Sequence, residues 1–247
     1  MDLQLQRLTD EFMQNGELSS AELFQLYREM DKDVPKATVN WRIYELVKKG
    51  VLERIGKGKF ELGTQKKFHP AISNNLRSIN NLIRKKFPYI NYCIWDTGVL
   101  RTFHQHYPNS GFILVDVEKD VTEPVFLFLN GKYKNVFLKP NKEILDRYVL
   151  SNQKSIVVRQ LISEAPLQNE NGIPAITIEK ILVDLFCDDE FEYMKGSEML
   201  SVFKNIFSQF TISKSKLVRY ASRKGRQDEI TDFLEKNDLL KVKYSNE

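Results

Sequence analysis

The sequence predicts an α+β protein with a small N-terminal domain (residues 1–68) and a larger mixed domain (residues 89–247), joined by a connecting helix and linker (residues 69–88). Three observations lead to this class. Helical periodicity fills the first 50 residues, and two short alternating segments follow it. Strand-like runs concentrate between residues 89 and 162, and the rest of the chain reads mainly as successive amphipathic helices.

The composition is that of a folded soluble chain. Of its 247 residues, 42% are hydrophobic and 28% are charged. The longest apolar run, Val125–Leu129, is far shorter than the ~18 residues that a membrane span needs. The first residues lack the basic and apolar regions of a signal peptide. Cys93 and Cys187 lie far apart and suit neither a disulfide framework nor a zinc site. We therefore expect a cytoplasmic protein without membrane association.

Two helices are predicted at the start of the first domain. Apolar residues recur at helical spacing up to Asn15-Gly16, where the pattern ends. Ser19 or Ser20 is placed to cap the next helix, with Glu22 in its first turn. A short polar turn then separates the second helix from the third.

A third helix is predicted from Lys36 to Lys49. Its apolar residues, at positions 39, 43, 46 and 47, form one stripe, and Gly50 suits the left-handed end of a helix. Two alternating strands, Val51–Ile55 and Lys59–Leu62, then flank a hairpin tip. This succession of three helices and a hairpin is the order of a winged helix-turn-helix.

The charge distribution divides this domain into two halves. Residues 1–35 carry three basic and eight acidic side chains, whereas residues 36–67 carry nine basic and three acidic ones. The positive half contains the third helix, which in this motif enters the major groove, and the hairpin. A basic stripe on one face is typical of a surface that binds nucleic acid. We therefore favour DNA binding, and a domain used only for dimerisation or protein docking is the alternative.

The third helix and the hairpin supply eight candidate DNA contacts. With the apolar stripe turned inward, the remaining helix surface is formed by Lys36, Thr38, Asn40, Trp41 and Arg42. Lysine and arginine pair with guanine, asparagine pairs with adenine, and residues at the helix start can take phosphates. The wing candidates, which stand around two glycines and can neutralise phosphates, are Arg54, Lys57 and Lys59. Trp41 could instead belong to the core. Pairing of two copies on an inverted repeat is expected from the geometry of such motifs.

The larger domain combines strand-like and helix-like runs without an internal repeat. The strand-like runs are 89–95, 111–117, 136–138 and 155–162. The helix-like runs are 97–106, 121–130, 142–149, 177–187, 197–208, 213–223 and 226–237. Because the strands cluster ahead of the last helices, we expect a mixed α+β arrangement with a helical C-terminal part.

Two segments of the chain resemble the AbiEi-type antitoxin family of abortive-infection toxin–antitoxin systems. One is Val34–Leu52 followed by Arg54–Phe60, and the other is Pro174–Leu185, in which Thr177 caps a helix and the matching residues end in Asp-Leu. The order of the parts is also similar. The resemblance implies a DNA-binding repressor of its own operon. It further implies that the chain counteracts a nucleotidyltransferase toxin without forming a stable complex with it.

The helix of the second segment also has a structural interpretation. Thr177 is a plausible N-cap, and the apolar residues that follow form a buried stripe. Asp184 lies four residues after Lys180, so we expect an ion pair between them on the helix surface. A charge that faces a partner is the alternative.

A metal-dependent nuclease with a winged-helix targeting module is a weaker alternative. Asp116 and Glu118 share one face of a strand, and two carboxylates can hold Mg²⁺. Lys119 falls on the opposite face, so we expect an ordinary polar strand exit instead. His104 and His106 lack accompanying ligands. We therefore expect no catalytic residues, no metal and no cofactor.

A second basic cluster lies near the C-terminus. Lys216, Arg219, Arg223 and Arg226 recur at spacings that would place them on one helical face. Two interpretations of this cluster are equally open. It could make extra contacts with DNA or RNA, or it could be a helix face exposed to solvent. A winged-helix regulator whose larger domain senses a small ligand is a further alternative function.

Overall fold

The computed structural model describes residues 5–48, 50–63, 67–104, 111–152 and 154–239. Within these residues the chain has a mixed α+β fold with helices at both ends, as the sequence predicts. The predicted end of the third helix at Lys49 and the imidazole of His106 lie outside the described residues. No described helix is long and apolar enough to cross a membrane.

Residues 5–62 form the winged helix. Its elements are α1 (Leu5–Asn15), β1 (Glu17–Ser19), α2 (Ser20–Met30), α3 (Lys36–Lys48), β2 (Leu52–Gly56) and β3 (Lys59–Leu62). The three predicted helices and the hairpin are thus confirmed. Ser19 and Glu22 form a capping box at the start of α2. Gly50 follows α3 with φ of +74°, a conformation that side chains rarely adopt. The strand β1 was not predicted, and it completes a sheet in the order β1-β3-β2.

The larger domain contains seven helices and six strands among its described residues. The helices are α4 (Asn74–Lys86), α5 (Thr122–Asn130), α6 (Lys142–Ile144), α7 (Ile178–Cys187), α8 (Ser197–Gln209), α9 (Lys214–Arg223) and α10 (Gln227–Lys236). The strands are β4 (Tyr92–Asp96), β5 (Ile113–Val117), β6 (Val136–Leu138), β7 (Ile156–Gln160), β8 (Leu167–Glu170) and β9 (Ile173–Ile176). A π-helical turn, Leu145–Val149, extends α6. The hairpin of β8 and β9 was not predicted.

A four-stranded sheet with the order β4-β5-β7-β6 forms the centre of this domain. The strand β4 is antiparallel to β5, whereas β7 runs parallel to both β5 and β6. Alternate side chains of a strand point to opposite faces of the sheet. Ile113 and Val115 of β5 therefore lie in a first core on one face, and Leu114 lies in a second core on the other face. The first core lies under α4 and α5, and the second lies under α7, α8, α9 and α10. The sheet is therefore covered on both faces, as parallel strands require.

Two segments differ from the expectations for this domain. The helix expected within residues 69–88 exists as α4, but Leu76, Ile79 and Ile83 pack into the core on the sheet. This segment is therefore an integral layer of the domain in addition to a connection. The helix expected over 97–106 is a 3₁₀ turn, Thr97–Thr102, in its described part.

The winged helix meets the larger domain where β2 contacts α9. Gly63, just after β3, lies close both to the backbone of the winged helix at Gly50 and to the Thr211 side chain of the larger domain. A Cβ atom at Gly63 would collide with the Gly50 carbonyl oxygen and lie 3.0 Å from Thr211 Oγ1. The contact therefore needs a residue without a side chain at this position.

Candidate nucleic-acid interface

The helix α3 buries one face and exposes the other. Val39, Ile43 and Leu46 face the core of the winged helix, as the predicted stripe requires. On the opposite face Lys36 and Asn40 are exposed, as predicted. The first turns of α3 thus present hydrogen-bonding side chains to solvent, which is what contact with base edges requires.

Two aromatic residues complete this exposed face. Trp41 is 46% exposed and therefore does not belong to the core, which was the open alternative for this residue. Tyr44, three residues later, is 62% exposed and was not among the predicted contacts. Residues three apart are neighbours on a helix, so both rings belong to the exposed side of α3.

The other two predicted helix residues lie at the edge of this face. Thr38 is half-buried. Arg42 is also half-buried, and its guanidinium carbon lies 5.1 Å from the centre of the Tyr27 ring. Its Nε atom is buried without a hydrogen-bond partner in the described structure. Arg42 therefore braces α3 against α2 and is a weaker candidate for base contact than Lys36 or Asn40.

The wing carries the three predicted cations in three different environments. Arg54 is exposed and lies over the Phe60 ring at 5.3 Å. Lys57 is exposed at the hairpin tip, next to Gly58, whose φ is +72°. Lys59 forms an ion pair with Glu17 on the neighbouring strand β1, and this hydrogen bond raises the pKa of Lys59. Lys57 and Arg54 are therefore the wing cations best placed to meet a phosphate.

A groove of about 820 Å³ separates the winged helix from the larger domain. One wall is formed by Asn40 and Tyr44 of α3 together with the β2 strand. The opposite wall is formed by residues of β8, α7 and the start of α9. Lys36 and Trp41 do not line the groove whereas Asn40 does, so the exposed face of α3 is divided between the groove and open solvent. The N-terminal part of α3 and the wing tip are therefore accessible to a large partner.

Charged groups of both signs surround this groove. Glu53 of β2 is 7% exposed, and burial, with added repulsion from Glu61 and Glu179, raises the pKa of Glu53 to about 9. At the rim, partial burial lowers the pKa of Lys67, and the charges of Lys216 and Lys48 lower it further. Lys67 thus lies close enough to Lys216 and to Lys48 to be repelled by both charges, an arrangement that favours a bound anion.

The C-terminal basic cluster does not form the single helical face that was predicted. The helix α9 ends at Arg223, and Arg226 lies beyond it, where it pairs with Glu229. Arg219 and Arg223 both pair with Glu164, which offsets part of their charge. Lys216 alone of the four lines the groove. The expectation of one stripe is therefore wrong, because the turn at Lys224-Gly225 ends the helix three residues too early.

A buried network of ion pairs fills the space between the sheet and α7. The register pairs Asp116 of β5 with Arg159 of β7, and both side chains point to the α7 side of the sheet. Arg159 Nε bonds Asp116 Oδ1 at 2.5 Å, and Arg159 Nη2 bonds Asp184 Oδ2 at 2.8 Å. Lys180 Nζ lies 2.6 Å from both Asp116 Oδ2 and Asp184 Oδ2. Buried ion pairs thus connect β5, β7 and α7.

A second layer of partners completes the network. Tyr220 Oη of α9 donates to Asp184 Oδ1 at 2.9 Å, and Lys224 Nζ lies 2.8 Å from the same oxygen. Asp188 accepts from Arg159 Nη1 at 2.7 Å and also pairs with Lys224. Burial alone would raise the pKa of Asp184, but Lys180, Lys224 and Arg159 hold the pKa well below its usual range. Asp184 therefore stays charged, and the network ties α7 and α9 to the sheet.

Two expectations about these residues are wrong. The pair between Asp184 and Lys180 exists, but it is not on the helix surface, because the two side chains are 0% and 1% exposed. Asp116 is not a polar strand exit, since it is buried against Arg159 and Lys180. The helix cap at Thr177 and the buried stripe of α7 are confirmed. A charged residue inside an apolar run was the signal for this network.

A family model matches residues 38–239, which extend from α3 to just beyond α10. This range covers most of the chain. The chain belongs to the DUF6577 family. DUF6577 is described as a family of unknown function. No curated protein matches the sequence. The likeness to AbiEi-type antitoxins therefore remains a prediction that rests on the two segments quoted above.

The features described here lie almost entirely inside the range that matches DUF6577. Most of α3, the wing, the groove and the complete ion network fall within residues 38–239.

The contacts of Asp116 argue against the nuclease alternative. Both oxygens of its carboxylate are held by cations and are therefore not free to bind a metal ion. The Glu118 side chain is bonded by Asn91. Among the described residues, no group of three or more His, Cys, Asp or Glu side chains could hold a metal ion.

Proposed function

We propose that the chain is a cytoplasmic, non-enzymatic transcription regulator that binds double-stranded DNA through its winged helix. The observation that carries the proposal is the exposed face of α3, where Lys36, Asn40 and Trp41 point to solvent beside a basic wing. Asn40 is suited to adenine and Lys36 to guanine or to a phosphate. Arg54 and Lys57 of the wing take phosphates of the adjacent backbone.

The charge of the molecule supports this arrangement. Arg54 of the wing lines the groove together with Lys67 and Lys216, and Lys48 lies close enough to Lys67 to lower its pKa. Contacts of this kind with the DNA backbone fix the orientation of the protein, while the α3 side chains supply specificity. The expected partner is an operator, and two copies on an inverted repeat fit the geometry of the motif.

The antitoxin role is the second part of the proposal, and the resemblance of two segments to AbiEi-type proteins supports it. The functional partner is then a nucleotidyltransferase toxin encoded beside this chain. Co-expression with such a neighbouring reading frame should rescue growth. No physical complex between the two proteins is required for this rescue. Continued growth arrest at equal expression would contradict the antitoxin role and leave DNA binding untouched.

Fluorescence anisotropy tests the DNA-binding role directly. The full chain is titrated into labelled DNA from the region upstream of its own reading frame and into a scrambled duplex of equal composition. We expect a specific preference of at least about a thousandfold at physiological salt, the lower end for sequence-specific binders. Equal affinity for both duplexes would overturn the regulator role and favour the docking-module alternative.

An alternative function is the sensing of a small ligand by the larger domain, and the interdomain groove supports it. The groove lies between the two domains and shares Asn40 and Tyr44 with the proposed DNA surface. A ligand in this position would be in contact with α3, the helix that is proposed to contact DNA bases.

A further inference from the structure

The interdomain groove has the size of a small-molecule site. Its volume of about 820 Å³ lies within the range of about 300–1,000 Å³ that is typical of such sites. Apolar and aromatic side chains form part of its wall, where Tyr44 is exposed and Phe60 and Phe68 belong to the buried cores. A planar, partly apolar group fits such a wall, because flat rings pack well against aromatic faces.

The floor of the groove contains a polar group without a partner. Glu53 is 7% exposed, and its Oε1 atom has no hydrogen-bond partner in the described structure. A buried polar atom in this state costs free energy until a partner supplies the missing bond. Since burial raises the pKa of Glu53 to about 9, the carboxyl is neutral at pH 7 and offers one donor and one acceptor.

The rim of the groove carries two positively charged side chains, in contrast to the neutral carboxyl at its floor. Lys67 and Lys216 both line it, and the charge of Lys216 disfavours the charged form of Lys67. A dianionic group between them would remove this repulsion and would gain charge-assisted hydrogen bonds. Phosphate is the common biological group with this charge and these acceptors.

We propose that the groove binds a nucleoside 5′-phosphate, with the base edge on Glu53 and the phosphate between Lys67 and Lys216. Nucleobase edges present adjacent donors and acceptors, which match those of a neutral carboxyl. The aromatic and apolar walls then cover the faces of the base. One ligand class thereby satisfies the floor, the walls and the rim of the same cavity.

Occupancy of the groove also regulates DNA binding, and this part rests on the proposed function. Arg54 lines the groove together with Asn40 and Tyr44 of α3. A bound phosphate competes with the DNA backbone for Arg54 and the rim lysines. Nucleotide therefore weakens DNA binding, and by linkage DNA weakens nucleotide binding by the same factor.

Isothermal titration calorimetry on the full chain tests the binding without any DNA. The probes are adenosine, guanosine, cytidine and uridine 5′-monophosphate, with ribose 5-phosphate and inorganic phosphate as ligands that lack a base. We expect at least one monophosphate to bind about tenfold more tightly than ribose 5-phosphate, since the base adds a buried hydrogen bond and stacking. Equal affinity for all probes, or no binding of any monophosphate, would overturn the proposal.

Variants locate the site. Glu53→Met removes the polar group at nearly constant size and should weaken monophosphate binding about tenfold, whereas Glu53→Gln keeps a donor and an acceptor and should retain it. Lys67→Ala, at an exposed residue, should also weaken binding about tenfold through loss of a charge-assisted bond. Lys134→Ala is the matched control, because Lys134 is exposed after α5 on the other face of the sheet. Unchanged affinity in Glu53→Met and Lys67→Ala, or equal loss in Glu53→Met and Glu53→Gln, would contradict the assignment.

The two proposals fail separately. Nucleotide binding measured without DNA can succeed while the upstream duplex is not recognised, and the reverse result is equally distinguishable. Addition of the tightest monophosphate to the anisotropy assay then tests the coupling, with an expected rightward shift of the DNA titration. Identical DNA titrations with and without saturating nucleotide would refute the regulatory part.

Discussion

The substitution Glu53→Gln should stabilise the protein, and the gain should grow as the pH rises. Burial raises the pKa of Glu53 in the folded chain to about 9, whereas the ordinary value is 4.5. Between these values the folded chain holds a proton that the unfolded chain releases. The stability that this group contributes is therefore complete below the ordinary pKa and is lost as the pH rises toward the folded pKa. Glutamine has no proton to release, so the variant escapes this loss.

The size of the effect follows from the same two values. Each pH unit between them corresponds to about 1.4 kcal/mol, so the wild-type chain loses roughly 3 kcal/mol between pH 5 and pH 7 through this residue. Relaxation around the buried carboxyl makes this an upper limit. We expect the difference in the free energy of unfolding between Glu53→Gln and wild type to rise by about 2 kcal/mol over this range.

Urea unfolding at pH 5 and pH 7, followed by circular dichroism, measures this difference. Glu123→Gln is the matched control, since Glu123 is exposed on α5 and its replacement should leave the pH dependence of wild type intact. An equal difference between Glu53→Gln and wild type at both pH values would refute the reasoning. It would mean that Glu53 is ionised in the folded protein.

Two further predictions concern the buried network and the exposed helix face. Replacement of Asp184 by Asn removes the carboxylate that Lys180, Lys224 and Arg159 share, so that only Asp116 and Asp188 remain as their closest buried counter-charges, and should cost about 3–5 kcal/mol of unfolding free energy in urea titrations. Glu164→Gln, at an exposed pair, should change it little, and equal effects of the two substitutions would contradict the buried placement. Trp41 is 46% exposed and Trp95 is 1% exposed, so acrylamide should quench wild type but hardly quench Trp41→Phe. Equal quenching of the two proteins would show that Trp41 is covered.

The winged helix could be predicted from the sequence because its signals are local. Spacing of apolar residues, a capping box at Ser19 and a left-handed glycine after α3 each involve a few neighbouring positions. The strand β1 was not predicted because a segment of three residues is too short to show an alternating pattern of apolar and polar side chains. Its pairing partner β3 lies about 40 residues away in the sequence. The bounds of α5 and of α7 to α10 were predictable for the same local reasons, whereas the helix expected over 97–106 is a 3₁₀ turn in its described part.

The ion network could not be assembled from the sequence, because it depends on register and packing. Asp116 and Arg159 become neighbours only when β5 and β7 pair in parallel at one register. Lys180 and Asp184 join them only when α7 lies over that end of the sheet. Asp116 and Asp184 each stand between two apolar residues, but Asp184 was expected on a helix surface and Asp116 at a polar strand exit.

The groove was equally beyond prediction from the sequence. Its two walls come from α3 and β2 on one side and from β8, α7 and α9 on the other, more than 100 residues apart. The cluster at Lys216 was noticed, but its expected continuation to Arg226 was wrong because Gly225 turns the chain. A prediction of charge periodicity holds only as far as the helix itself continues.

The central claim is that the wing and α3 contact DNA, and the salt dependence of binding tests it most directly. The affinity for the upstream duplex is measured from low to high salt for wild type, for Lys57→Ala at the wing tip and for Lys134→Ala as the control. Loss of one phosphate contact should weaken binding and make the log–log salt slope shallower by about one in Lys57→Ala, with Lys134→Ala unchanged. Identical slopes in all three proteins would contradict the placement of the wing on the DNA backbone.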